Sequence, residues 1–386
     1  MDYERLTEAY SAMEQTRSRL EIATLLAGLF RDTPPEELAA VAHLCLGKLG
    51  PAYDSREVGL SDKSVLRTLA LASGAPLDNL QANYAKAGDI GLVAEEALAA
   101  KSQQPLFGSP LTVSRVWERL HALSLETGSG SQERKFRALA ELLHDGTPQD
   151  ARYLCRTAVG KLRLGFSQML LVDGLAEAFG SREERNMVEA AYNRHPDIGW
   201  LAQRTAADFS SLADVRTTPG IPLRPMLGER LASAEAVLEK HDGESAFEWK
   251  YDGLRVQAHL LKGGTRLFSR SLEDLTPQFP DVVDALEQVL PTGVIVEGEA
   301  LAIDEAGNLL PFQVIAKRRG RKHGLAEKLE EIPVGVWLFD LLYANGQETL
   351  DTPFTERRER LETLFTPSDR VACTTLLRTT NAAEAE

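Results

Sequence analysis

The hydrophobic rhythm of this chain changes once, and that change limits what it can fold into. Up to about residue 205, apolar residues return at spacings of three and four, as in Leu20, Ala23, Leu26, Ala27 and Phe30. That spacing lines one face of a helix. Beyond residue 216, Val256, Ala258 and Leu260 alternate with Arg255, Gln257 and His259, the two-residue period of a half-buried strand. Gly263-Gly264 marks a hairpin turn before Arg266-Leu267-Phe268. Val294 to Ile303 and Val334 to Phe339 read as further strands, with a short helix over Asp281 to Leu290. Between the two regimes, the prolines of Thr217-Thr218-Pro219-Gly220-Ile221-Pro222-Leu223-Arg224-Pro225 exclude a helix interior and suggest an extended linker. The expectation is a multidomain protein, all-α over residues 1–215 and α+β with mostly antiparallel sheet over residues 216–386.

The helical half repeats itself. Ser131 follows Ser18 by 113 residues, and Leu139, Ala140 and Leu142 follow Leu26, Ala27 and Leu29 at the same interval. Gly47-Lys48-Leu49 and Gly160-Lys161-Leu162 keep it. Tyr84 with Asp89-Ile90-Gly91 and Tyr192 with Asp197-Ile198-Gly199 match at an interval of 108. An ordered series of matches implies an internal duplication. Ser18 and Ser131 are placed to cap helices, and Glu21 gives Ser18 the acidic partner of a capping box.

A net charge of −14 argues, as an average, against nucleic acid as a partner. Distribution matters more. Basic residues gather in Arg134-Lys135-Phe136-Arg137, in Arg156 to Arg163, and in Lys317-Arg318-Arg319-Gly320-Arg321-Lys322-His323, so any nucleic-acid binding should be sensitive to salt. Gly128-Ser129-Gly130-Ser131 leads small residues into a helix start, where free N–H groups favour a phosphate. Cys45, Cys155 and Cys373 form no C-x-x-C pair, which leaves neither a disulfide framework nor a zinc site. The N-terminus has no secretory pattern and no apolar run is long enough to cross a bilayer, so a cytoplasmic, nucleoid-associated protein is expected.

The chemistry concentrates at Lys250 in Phe247-Glu248-Trp249-Lys250-Tyr251-Asp252-Gly253-Leu254-Arg255. A lysine amine is a nucleophile only when unprotonated, and burial or a neighbouring cation such as Arg255 favours that form. Asp252-Gly253 suggests a tight turn, where glycine allows positive φ or close approach of the backbone to a phosphate. Glu297 and Glu299 share one face of a strand, so an inward carboxylate is available for a ribose hydroxyl or Mg²⁺.

The K-x-D-G-x-R spacing of Lys250, Asp252, Gly253 and Arg255 resembles the nucleotide-accepting motif of ATP-dependent DNA ligases and other nucleotidyltransferases. Ser269-Arg270-Ser271, Glu297-Gly298-Glu299-Ala300 and Phe339-Asp340-Leu341-Leu342-Tyr343 follow in that family's order, and the loops at 128–135 and 160–165 are similar to those of its archaeal-type helical DNA-binding domain. The resemblance implies Lys250 as the adenylated nucleophile. It implies ATP contacts at Glu248, Arg255, Arg270, Glu299 and Phe339, with Phe339 stacking on adenine and Glu299 helping to hold Mg²⁺. It implies DNA contacts at Ser131, Arg134, Lys135, Lys161, Arg163, Lys317 and Arg318. The domains expected are a helical DNA-binding domain over 1–215 and an incomplete adenylation domain over 216–386, without the family's later acidic and lysine-rich motifs or its OB-fold barrel. The implied activity is sealing of nicks in duplex DNA, in replication, repair and recombination, by a monomer with no membrane partner and no sliding-clamp signal. A non-catalytic DNA-binding module that keeps the fold, an RNA ligase and another nucleotidyltransferase are the alternatives.

Overall fold

The computed structural model describes residues 1–54, 56–100, 110–304, 306–318 and 332–386. They form two compact units, Met1–Val215 and Arg216–Glu386, each built on its own apolar cluster. No helix among the described residues is long and apolar enough to cross a membrane.

The first unit is helical, with α1 (Tyr3–Glu14), α2 (Arg19–Asp32), α3 (Leu38–Leu44), α4 (Asp62–Ser73), α5 (Leu77–Ala87), α6 (Ile90–Ala99), α7 (Val113–Leu125), α8 (Ser131–Asp145), α9 (Pro148–Ala158), α10 (Gln168–Phe179), α11 (Arg185–Arg194) and α12 (Ile198–Ala207). The duplication is visible as crossed packing. Helix α2 packs on α10 and α8 on α4, while α3 packs on α12 and α9 on α6. Each of these eight helices thus buries apolar surface against the other half, and a single core results.

The repeated Asp-Ile-Gly explains how those crossings are fixed. Asp89 caps α6 by accepting from the amides of Gly91 (2.8 Å) and Leu92 (3.3 Å). Asp197 caps α12 from Gly199 (2.9 Å) and Trp200 (3.0 Å). A side chain from the other half then grips each cap. Arg156 of α9 donates to Asp89 at 2.8 Å, and His43 of α3 lies 3.1 Å from Asp197. Burial alone would raise both carboxyls, but Arg156 and His43, with the capping amides, outweigh it and hold them below their ordinary values. The glycines permit the approach. A Cβ on Gly91 would lie 2.6 Å from the Arg152 carbonyl oxygen, and one on Gly199 would lie 2.5 Å from His43 Nε2.

Capping elsewhere differs from expectation. The Ser18 hydroxyl does cap α2, accepting from the Glu21 amide at 3.3 Å, but the Glu21 carboxylate accepts from Thr16 rather than closing a capping box. Ser131 is not a cap. Gly130, at φ +75°, occupies that position, so the Ser131 backbone is already helical. A full capping box occurs instead at Thr147 and Asp150.

The second unit is α+β. Its strands are β1 (Ser245–Glu248), β2 (Leu254–Leu260), β3 (Arg266–Ser269), β4 (Val294–Ala302), β5 (Val334–Ala344), β6 (Gln347–Glu348), β7 (Val371–Cys373) and β8 (Leu376–Thr379). Six form one sheet in the order β3-β2-β4-β5-β6, with β7 joined to β5, and β1 pairs separately with β8. All pairings are antiparallel except β5 with β7. Helices Pro280–Val289 and Phe354–Leu364 contribute Val282, Leu286 and Leu361 to the core against the sheet.

The proline-rich segment after residue 216 is no free linker. Its Thr217 amide donates to Glu348 (2.9 Å), Gly220 N–H to His259 Nδ1 (2.9 Å) and Leu223 N–H to Gln257 Oε1 (2.7 Å). Leu223 is buried against Ile295 and Leu342. Proline prevents a helix here; the chain turns at Pro219-Gly220, where the Ile221 amide donates to the Thr218 carbonyl, and the amides of Thr217, Gly220 and Leu223 are satisfied on side chains of the sheet.

Candidate active site

Lys250 lies two residues past the end of β1 and is exposed. The Tyr251 amide donates to the Trp249 carbonyl at 3.1 Å, so the chain turns at once and the strand face of Glu248 does not continue to Lys250. Gly253 completes the descent from this turn into β2. Close approach is what glycine provides here: a Cβ would meet the Ala300 carbonyl oxygen at 2.5 Å and Glu299 Cγ at 2.9 Å.

The register of β2 on β4 sets the floor of the site. Arg255 stands opposite Glu299 and Gln257 opposite Glu297, all on one face because residues two apart point the same way. Arg255 reaches diagonally, donating from Nη2 to Glu297 Oε2 at 2.6 Å. Its guanidinium lies 5.2 Å from the centre of the Phe339 ring, a cation–π contact. The Arg255 Nε is buried and has no hydrogen-bond partner among the described residues. Phe339 owes its position to an irregularity in β5. Glu297 pairs with Asp340 and Gly298 with Leu338, which leaves Phe339 as the extra residue of a bulge.

Glu299 is free of that ion pair. Burial raises its carboxyl above the ordinary value, outweighing the Gly253 amide and the charges of Arg255 and Lys250 that pull it down. Lys250, Arg255, Glu299 and Phe339 thus form one constellation, with Tyr251 stacked at 6.2 Å on Trp337, the residue opposite Glu299 on β5. Arg270 follows the end of β3 in an exposed turn. The Glu248 Oε1 is engaged by Thr374 (2.5 Å) and Arg358 (3.1 Å), so that oxygen serves the packing of β1.

Several of these neighbours have little signal in the sequence. Trp337 and Tyr251 meet only through the β4–β5 register, and Arg357 holds Asp340 in a two-pronged ion pair (2.7 and 2.9 Å) across the unit. Gln257 does have a signal, since it shares the two-residue period of Arg255.

No group of three or more metal-ligating side chains occurs among the described residues. Mg²⁺ does not need one, because it is usually held by one or two carboxylates together with substrate phosphates. Glu299, partly buried and with no ion pair among the described residues, fits that donor set.

The basic candidates divide by burial. Lys135 is inward, 7% exposed, with its ammonium on the Val58 carbonyl at 2.8 Å and its pKa lowered by burial. It secures the 50s loop to α8, and the expected DNA contact is corrected. Arg318 is also corrected. It is fully buried, forked onto Asp281 (2.5 and 3.0 Å) and stacked on Phe279, because a guanidinium inside a protein needs an anion and a flat partner. Arg134, Lys161 and Arg163 remain about half exposed in ion pairs with Glu126, Asp62 and Asp89. Lys317 is exposed, and the rest of its basic run, from Arg319 to His323, lies outside the described residues.

The model of the DNA ligase N terminus matches residues 2–176, and that of the ATP-dependent DNA ligase domain matches residues 225–386. DNA ligase 2 of Thermofilum pendens is 41% identical over 379 residues, covering 96% of this chain and 63% of the relative. The DNA ligase of Thermoplasma volcanium is 39% identical over 372 residues, with the same coverage. A solved structure described as Pmar-Lig_PreS3 has a similar fold, with a TM-score of 0.51 and 14% identity over 97% of this chain and 67% of that one. The chain therefore spans somewhat less than two thirds of the length of these curated relatives. Matched in both halves and in the order of its motifs, it belongs to the ATP-dependent DNA ligase family.

Proposed function

We propose that this chain carries the lysine-adenylating part of an enzyme that seals nicks in duplex DNA with ATP. The observation that carries the reading is Arg255, held by Glu297 and Phe339 with its Nε left unpartnered beside Lys250 and Glu299. A buried donor without a partner is costly and suits a ligand oxygen, here that of a ribose or phosphate.

In the first step the Lys250 amine, deprotonated, attacks the α-phosphate of ATP. An N–P bond forms, the bond to pyrophosphate breaks, and a lysyl-AMP remains. AMP then passes to the 5′-phosphate at the nick, releasing the lysine. The neighbouring 3′-hydroxyl attacks that phosphate, AMP leaves, and a phosphodiester closes the strand. Phe339 would stack on adenine, with Arg255, Arg270 and Glu248 around the nucleotide. Glu299 would ligate Mg²⁺, which neutralises phosphate charge when bound. Duplex DNA would be held through phosphates by Arg134, Lys161, Arg163 and Lys317, and by the uncapped start of α8 at Ser131. The solvent-facing ion pairs of Arg134 and Lys161 support this, since exposed pairs are worth only about 0–1 kcal/mol and exchange readily for phosphate.

The test is transfer of label from ATP labelled at the α-phosphate onto the chain with Mg²⁺, beside Lys250→Ala, followed by addition of nicked DNA. Label on the native chain alone supports the reading. Absence of label with retained binding of nicked duplex would replace it with a DNA-binding module that keeps the fold.

A further inference from the structure

Behind Arg255 runs a chain of buried polar contacts that the adenylation chemistry does not itself explain. Gln257, 3% exposed, and His259, fully buried, follow Arg255 on β2 and face the same way. The His259 Nδ1 accepts from Gly220 N–H, so the ring is protonated on Nε2, which donates to Gln257 Oε1 at 2.9 Å. That oxygen also accepts from Leu223 N–H at 2.7 Å. With Oε1 fixed as the acceptor, the Gln257 amide nitrogen must point away from it. It donates to the Leu223 carbonyl and to Glu297 Oε1, both at 3.1 Å. The other oxygen of Glu297 takes Arg255.

Each donor of His259 and Gln257 meets an acceptor, and reversing either side chain would set donor against donor. Arg266, donating to the Gly220 carbonyl at 2.9 Å, fixes the far end. The segment at 217–223 therefore sets the direction of the whole series.

We propose that Gln257, oriented by His259 and by the Leu223 backbone, is a positioning residue that sets the Glu297 carboxylate and through it the Arg255 guanidinium over Phe339. The consequence for catalysis rests on the lysyl-AMP reading above; the placement of Arg255 does not. Gln257 touches neither Lys250 nor, on that reading, the nucleotide. Its effect passes through Arg255.

The test has two arms. The first compares the rate of lysyl-AMP formation in Gln257→Leu, Arg255→Ala and the double variant, using ATP labelled at the α-phosphate. Gln257→Leu is expected to slow the reaction on the order of 10- to 100-fold in the native background, as misplacement of a binding group does, and by less than about twofold once Arg255 is gone. Equal losses in both backgrounds would mean a general structural role and overturn the proposal. Gln257→Glu supplies a second reading. A protonated glutamic acid keeps the carbonyl acceptor and offers one O–H donor, able to serve Glu297, in place of the two amide N–H donors, so its rate relative to the native chain should recover in part as pH falls from about 8 to 6. A ratio independent of pH counts against the proposal.

The second arm is a crystal structure of nucleotide-free Gln257→Leu. Arg255 displaced from the Phe339 ring supports the inference; Arg255 in its native place overturns it. Should the native chain take no label at all, the catalytic reading fails and this arm still decides where Gln257 places Arg255.

Discussion

Asp89 and Asp197 cap their helices with the same pair of backbone hydrogen bonds, and each is gripped by a side chain from the opposite half of the duplication. Arg156 follows His43 by 113 residues, the interval that relates the rest of the repeat. The duplicated halves have kept the contact and changed its chemistry, a permanent cation on one side and an imidazole on the other.

The two glycines at these caps should not be equally replaceable. A Cβ on Gly91 meets backbone oxygen at 2.6 Å, whereas on Gly199 the closest atoms belong to the His43 ring and the backbone oxygen of Ala39 is 3.1 Å away. Gly91→Ala should destabilise the helical unit by about 1–3 kcal/mol and Gly199→Ala by less. Urea unfolding of the two variants measures the difference.

Gly253→Ala should disable labelling of Lys250 without unfolding the helical unit. The new methyl would press on the Ala300 carbonyl oxygen and on Glu299, parting the loop of Lys250 from β4. A loss of at least about 100-fold is expected, and labelling within twofold of the native chain would contradict it.

Salt dependence separates the basic residues that face solvent from those that do not. Arg134→Ala and Lys161→Ala should each lower the slope of log affinity against log salt for nicked duplex by about 1. Lys135→Met should leave the slope unchanged, since its ammonium is spent on Val58. Fluorescence anisotropy across a salt series reads both.

His259 gives the second unit an acid sensitivity. Burial first, and the charge of Arg266 second, lower its pKa from an ordinary 6.5 to about 3. Between those values the unfolded chain binds a proton that the folded one does not, so stability is complete above pH 6.5 and falls as pH drops toward 3, by up to about 1.4 kcal/mol per unit. Thermal unfolding at pH 7 and pH 5 should show the loss, and His259→Gln should flatten it.

The architecture was legible because period is a property of neighbouring residues. Helical spacing before residue 205 and alternation after 254 both correspond to observed elements, and the spacing of Lys250 to Arg255 corresponds to a turn that leads into β2. What escaped depended on residues far apart in the chain. Lys135 sits in a basic run of its helix, and nothing local reveals the Val58 carbonyl that receives it. Arg318 sits in another such run, and only the tertiary fold brings Asp281 and Phe279 around it. The bulge that frees Phe339 is likewise a matter of register between β4 and β5, which residue type alone does not specify.

The strap at 217–223 bears on where the chain tolerates a cut. Similarity to the ATP-dependent ligase domain begins at residue 225, and an excised fragment starting there would keep every recognisable motif. It would also strip Gln257 and His259 of the backbone they hold, leaving the buried His259 Nδ1 without its donor and the Gln257 amide with only His259 and Glu297. The hereditary edge of the domain and its mechanical edge are about nine residues apart, so a protease that clips between them would leave the motifs intact and loosen the sheet that carries them.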